Sequence, residues 1–190
     1  KWPGVLAFLN NFIVWENERR PRLNKIIVEQ SGKLTIPLAD ASNFELRGRA
    51  DRFELAADGS VVIIDYKSGT IPTNAVINAG FSPQLTLEAA MIERGAFASL
   101  PVGTKVSDAQ YIPIGKDDEI KSRNVSNKDK PFEQLVTEHY SGLLQLIHQF
   151  RDPITPYLAR PFPQYEKQYG DYDYLARVKE WASSSGGEEG

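Results

Sequence analysis

Val61-Val62-Ile63-Ile64-Asp65-Tyr66-Lys67 is the stretch whose reading decides the fold. Its first four residues are apolar on both sides of the pleat, so the strand is expected to be covered on both faces and to lie centrally in its sheet. Side chains alternate along a strand, so Asp65 and Lys67 project to one face and Tyr66 to the other, with the Tyr66 carbonyl between them. Two oxygen acceptors and one cation thus converge at the end of a rigid apolar platform.

Residues 44–55 read as the preceding strand, joined to it across Ala57-Asp58-Gly59, where glycine supplies the positive φ of a tight hairpin. Loop length sets the register. A three-residue loop pairs Glu54 with Val62, Asp51 with Asp65 and Arg49 with Lys67, whereas a two-residue Asp58-Gly59 turn puts Asp51 and Asp65 on opposite faces. By alternation, Asp51 is expected to share a face with Phe53 and Leu55 on one side and with Arg49 and Arg47 on the other.

Before this hairpin, Val5, Phe8, Leu9, Phe12, Ile13 and Trp15 recur at helical spacing, predicting an amphipathic helix over residues 4–20 that stops at Arg19-Arg20-Pro21. Residues 25–30 and 33–38, joined across Ser31-Gly32, read as a strand or a short hairpin. Downstream, Pro83 begins a helix that Gly95 ends. A strand is expected over 108–114, a charged loop or excursion over 115–130, and a helix over 132–150 packing through Val136, Tyr140, Leu143, Ile147 and Phe150. A proline- and aromatic-rich segment over 152–163 is expected to wrap over a neighbour, followed by a short helix over 172–181 and a flexible tail over 183–190. Residues 1–182 are accordingly read as one domain, and the chain as a fragment of something longer.

Composition narrows the chemistry. Without cysteine there is no disulfide, thiolate zinc site or iron–sulfur cluster, and with two histidines, His139 and His148, nine residues apart, a histidine metal site is not expected. Any metal is held by oxygen. A net charge of -3 argues against a broadly basic nucleic-acid coat while leaving room for a local basic cleft. No run of about 18 apolar residues can span a bilayer, so no membrane partner is expected and the expected location is the cytoplasm.

Two facing carboxylates repel unless a cation or proton is shared between them. Carboxylate oxygens, a backbone carbonyl and water are hard ligands that suit Mg²⁺ or Mn²⁺, and such an ion activates water and neutralises charge on a pentavalent phosphate, with Lys67 orienting or deprotonating the attacking water. Taken by itself, an Asp-x-Lys triplet fits a salt-bridged sheet edge as well.

The longer pattern selects between these readings. Gly48-Arg49-Ala50-Asp51-Arg52-Phe53-Glu54, then Ile64-Asp65-Tyr66-Lys67-Ser68-Gly69, then Pro83-Gln84-Leu85-Thr86-Leu87-Glu88 closely resembles the RecB-like branch of the PD-(D/E)XK nuclease superfamily. Within that branch, the motif order and the ending at 170–181 resemble the C-terminal nuclease domain of AddB proteins of alphaproteobacterial type. The resemblance implies an α/β, restriction-endonuclease-like αβββαβ core with a central mixed sheet flanked by helices. It implies that Asp51 and Asp65 bind metal, that the Tyr66 carbonyl completes the site, that Lys67 is catalytic, and that Gln84 places the substrate or the lysine. Arg49 and Arg52 are the expected DNA contacts.

Two features depart from the family pattern: Leu87 and Glu88 stand where a tyrosine is usual, and the first helix offers Glu16 and Glu18 where many relatives carry histidine. Those acids and Glu29 are the candidates for a further metal ligand. The implied function is Mg²⁺-dependent exonuclease action on DNA within an AddAB-type helicase-nuclease that processes double-strand breaks, with an AddA-type subunit as partner in a bacterial cytoplasm. The competing readings are a nuclease-like domain that has lost activity and binds DNA or scaffolds the complex, and a metal-free binding module.

Overall fold

The computed structural model describes residues 2–115 and 120–156. Helix α1 (Trp2–Arg19) and a turn of 3-10 helix (Arg20–Arg22) lead into three strands, β1 (Leu23–Pro37), β2 (Asn43–Ala56) and β3 (Val61–Lys67). Helices α2 (Asn74–Asn78) and α3 (Gln84–Glu93) then connect to β4 (Val106–Pro113), followed by β5 (Arg123–Asn124) and α4 (Phe132–Phe150). The strands lie side by side in chain order. Only β3 and β4 are parallel, joined by the α2–α3 crossover, so the sheet is mixed with β3 at its centre.

The hairpin forms as its sequence predicts. Ala56 N–H donates to Ser60 O at 2.9 Å and Gly59 N–H to Ala56 O at 3.0 Å, closing a loop of Ala57, Asp58 and Gly59 with Gly59 at φ +81. The register follows: Glu54 pairs with Val62 and Arg52 with Ile64. Helix α3 also ends as expected, with Gly95 at φ +75, Gly95 N–H bonded to Ile92 O and Ala96 N–H to Met91 O, the paired closure of a Schellman motif.

On one face of the sheet Phe53, Ile63, Ala109 and Tyr111 pack with Leu85, Ala89 and Ile92 of α3 and with Leu135 and Val136 of α4. Each of the buried Phe, Ile, Leu and Val side chains among them contributes about 1.5–3 kcal/mol. Helix α1 lies on the other face: Phe12 meets the Tyr66 ring at 6.1 Å, while Val5, Leu6, Leu9 and Ile13 remain exposed. The element order and two-sided cover are those of a restriction-endonuclease-like αβββαβ core.

One open alternative is decided, one helix was not foreseen, and two expectations are revised. Of the strand and the short hairpin left open for residues 25–38, the strand forms: residues 23–37 are one strand in which Gly32 pairs with Gly48 and makes no turn. The loop over 115–130 contains β5, whose Arg123 and Asn124 pair with Tyr111 and Gln110. Helix α2, capped by Thr73 Oγ1 accepting from Val76 N–H, is too short to leave a periodic signal. In α4 the buried residues are Phe132, Leu135, Val136 and His139; of the expected stripe Val136 is buried and Tyr140 packs against the core, while Phe150 is 38% exposed. The chain divides into two compact units, Lys1–Leu144 and Gln145–Gly190. In the second, residues 152–155 form a turn closed by Thr155 N–H to Asp152 O at 3.0 Å; the expected wrap beyond residue 156, the helix over 172–181 and the tail lie outside the described residues.

Candidate active site

The β2–β3 ladder runs from Leu55–Val61 to Arg52–Ile64 and then stops. Beyond it the Tyr66 N–H donates to Asp51 Oδ2 at 3.0 Å, so a carboxylate supplies the acceptor for a backbone donor that has left the ladder. The kink has a visible source on β1. Glu29 has φ 53, and the pairs Val28–Arg52 and Gln30–Ala50 are regular on either side of it. Facing parity changes at this point. Gly48 lies against Met91 and Glu88 and Ala50 is buried, so even-numbered residues of β2 face α3 before the kink; after it Phe53 stacks edge-on with Phe97 at 5.0 Å. Asp51 therefore faces α3 with Phe53, while Arg49 and Arg47 turn outward.

Asp65 is 5% exposed and carries the Lys67 ammonium at 3.1 Å from Oδ1 and 2.9 Å from Oδ2. Gln84, at the start of α3, donates its amide to Asp65 Oδ1 at 3.0 Å and accepts from Lys67 Nζ at 3.2 Å, closing a three-membered ring of polar contacts. Burial raises the Asp65 carboxyl above the ordinary carboxylate range; Lys67 opposes this and Asp51 reinforces it. Lys67 also lies 5.7 Å from the centre of the buried Tyr111 ring.

Glu88 is the residue the sequence reading missed. It is 4% exposed, accepts from Gln84 Nε2 through Oε1 at 3.2 Å, and has no hydrogen-bond partner on Oε2. Burial pushes its carboxyl up to about 8, and the charges of Asp65 and Asp51 push the same way. The signal was present: the one charged residue in the run Leu85–Ile92, four residues after Gln84 and hence on the same side of the helix.

Other predicted residues lie elsewhere. Arg52 is 5% exposed and turned to the α1 face, where it binds Glu16 at 2.8 Å, Glu54 at 2.7 Å and the Tyr66 hydroxyl at 3.3 Å. Arg19 pairs with the same Glu54 and stacks 4.7 Å over Trp15. Glu16 is thus engaged by Arg52 and Arg20 and held below the usual range by them against its burial, and is not brought to Asp65. Glu18 is exposed, and Glu29 pairs with the outward Arg49. Neither reaches the quartet of Asp51, Asp65, Lys67 and Gln84. His139 is packed in the core with Nδ1 2.6 Å from Thr86 Oγ1, away from any metal role.

The donor set fits a hard divalent ion. Asp51, Asp65 and the Tyr66 carbonyl offer only oxygen, and Glu88 Oε2 is buried without a hydrogen bond. Among the described residues no three acidic or histidine side chains converge as a ready-made cage, so main chain and water would complete the shell.

The sequence profile described as the PD-(D/E)XK nuclease superfamily matches residues 4–163. An uncharacterized protein of Rickettsia typhi is 38% identical over 120 residues, 63% of this chain and 14% of that protein. Another, of Rickettsia felis, is 28% identical over 205 residues, 91% of this chain and 23% of its own length. The chain thus spans less than a quarter of these relatives. The crystal structure of SSO0001 overlaps 70% of this chain and 56% of its own, with 13% identity and a TM-score of 0.38.

Proposed function

This chain belongs to the PD-(D/E)XK nuclease superfamily, and from that premise we propose that it hydrolyses DNA phosphodiester bonds with Mg²⁺ or Mn²⁺ at Asp51, Asp65, Lys67 and Gln84. The observation that carries the proposal is the splay of β2 from β3, which leaves Asp51 and Asp65 on one face beside Lys67 and Gln84. Nucleases of this superfamily generally use divalent metals; here Asp51, Asp65 and the Tyr66 carbonyl would hold the ion, which supplies charge neutralisation for the reacting phosphate and an acidified water. Lys67, seated on Asp65, would orient an attacking water. Gln84 fixes the lysine by accepting from Nζ and fixes the carboxylate by donating to Oδ1.

The finer reading is an exonuclease domain of an AddAB-type helicase-nuclease acting at double-strand breaks, with an AddA-type subunit as partner in the bacterial cytoplasm. Its support is the motif order and the fraction of much longer relatives that the chain represents. No helix among the described residues is long and apolar enough to cross a membrane.

The test is digestion of end-labelled single-stranded and linear duplex DNA with Mg²⁺. Asp65→Ala and Lys67→Ala should each lower cleavage by about 10²-fold or more, the size expected for a positioned acid–base or electrostatic group. Undiminished cleavage in either variant overturns the assignment.

A further inference from the structure

A side-chain amide carries two N–H donors and a carbonyl oxygen, and at Gln84 all of them are engaged. Nε2 donates to Asp65 Oδ1 at 3.0 Å and to Glu88 Oε1 at 3.2 Å, while the amide oxygen accepts from Lys67 Nζ at 3.2 Å. Turning the amide over would aim its oxygen at two carboxyl groups and its N–H donors at an ammonium, so the three partners admit one orientation. Asp65 and Lys67 are also bonded to each other, and Lys67 is a part-exposed ammonium on a flexible stem. Glu88 is the partner of the amide that stands outside that pair.

The fold holds Glu88 in place for this contact. It lies one helical turn after Gln84 on α3, a spacing that brings the two side chains together. It is buried, and its Cγ sits 3.7 Å from where a Cβ on Gly48 of β2 would stand. Its Oε2 makes no hydrogen bond, so the carboxyl costs desolvation that an apolar side chain of the same length would not. Oε1 accepts from Gln84 whether the group is ionised or carries its proton on Oε2. Packing gives no reason for an acid at this position, and the bond to Gln84 does.

We propose that Glu88 is a positioning residue: it locks the plane of the Gln84 amide, which in turn seats the Lys67 ammonium on Asp65. The role needs an acceptor oxygen and not a charge. Its effect on cleavage rests on the nuclease reading above, whereas the geometry rests on these hydrogen bonds alone.

The test is a double-mutant cycle in single-turnover cleavage of end-labelled single-stranded DNA with Mg²⁺, made from Glu88→Met, Gln84→Met and the two together. Methionine keeps the length of each side chain and removes the strong hydrogen-bonding groups. Glu88→Met should slow cleavage by about tenfold, the upper end of what one hydrogen bond contributes, with a urea midpoint no lower than the parent's. Glu88→Leu, shorter and equally without an acceptor, should slow it in the same way. The double variant should be no slower than Gln84→Met, because Glu88 acts through that amide. Glu88→Gln, which restores an acceptor oxygen, should recover the rate that Glu88→Met loses. Cleavage at the parental rate by Glu88→Met and Glu88→Leu, or losses that add in the double variant, overturns the proposal.

The geometry has its own readout in NMR spectra of isotope-labelled protein, where the Gln84 side-chain amide is the signal that Gln84→Met removes. Its protons should exchange slowly with water in the parent and in Glu88→Gln, and faster in Glu88→Met. Equal exchange in the parent and Glu88→Met overturns the proposal. If the amide responds and the parent cuts nothing with any divalent metal, the nuclease reading fails and the positioning of the amide stands. If Asp65→Ala abolishes cutting while Glu88→Met cuts as the parent does, the positioning role alone fails.

Discussion

Glu88→Gln isolates the energetic consequence of a carboxyl group buried beside two others. Glutamine keeps the shape and an oxygen that accepts from Gln84 Nε2, but it cannot ionise. In the unfolded chain Glu88 titrates at the ordinary value of 4.5, whereas burial raises it to about 8 in the fold. Between those values the folded protein holds a proton that the unfolded chain has released, so the parent loses stability as pH rises through the window, by about 1.4 kcal/mol per pH unit. Below it the group is neutral in both states and the effect is absent.

From pH 5 to pH 8 the parent should therefore lose on the order of 4 kcal/mol relative to Glu88→Gln, a sizeable part of a typical domain's stability. Asp65, also raised by burial, adds a change of the same sign to both proteins, so the quantity to read is their difference. Urea unfolding followed by tryptophan fluorescence at pH 5, 6, 7 and 8, with EDTA to strip divalent ions, gives it directly. The midpoints should nearly coincide at pH 5 and separate by about 1–2 M by pH 8. A difference that stays flat from pH 5 to 8 refutes the reasoning, since it means that Glu88 is already ionised and compensated in the fold.

Arg52→Met removes one partner from a buried ion cluster and should cost about 3–5 kcal/mol in urea unfolding, while the protein that remains folded binds oligonucleotide as the parent does. Gly32→Ala places a methyl group 2.6 Å from the buried Phe97 ring, and this overpacking should lower stability by about 1–3 kcal/mol in thermal or urea unfolding. Gly59→Ala meets no atom within 4 Å, so its cost should be that of the left-handed backbone alone, about 1–2 kcal/mol by the same measurement, with cleavage unchanged.

The sequence carried the acidic pair through two short-range rules. Period-two alternation put Asp65 and Lys67 on one face, and the three-residue loop ending in Gly59 set the register that runs to Arg52–Ile64 and ends one pair short of Asp51 and Asp65. Both rules act within a few residues, so a single sequence displays them. Helix α3 was legible for the same reason, with Pro83 before it and Gly95 after it. Arg52 was misread because its partners, Glu16 and Arg19's shared Glu54, involve a helix 36 residues away in the case of Glu16, a separation over which alternation says nothing. Arg49 was misplaced for a different reason. Extrapolating alternation through Asp51 assumes a continuous pleat, whereas the buried face of β2 changes between Ala50 and Phe53, opposite the positive φ of Glu29 on β1.

That change of face also explains why charge accumulates where it does. On the α1 face of β2, Glu16 and Glu54 are matched by Arg19 and Arg52, so the cluster is balanced and has no need of an external ion. On the α3 face, Asp65 holds Lys67, and the charges of Asp65 and Asp51 both act on the buried Glu88. Protonation of Glu88 relieves part of that excess, and the remaining acid is what a divalent cation would neutralise. A strand that kept its pleat through residue 51 would continue Gly48 and Ala50 with Arg52 on the α3 face and send Asp51 to the side of α1. The kink reverses this assignment, putting the carboxylate among acids and the guanidinium among its partners. Removing Arg52 should therefore act on folding, and removing Asp51 on whatever binds between it and Asp65, although the two are adjacent in the chain.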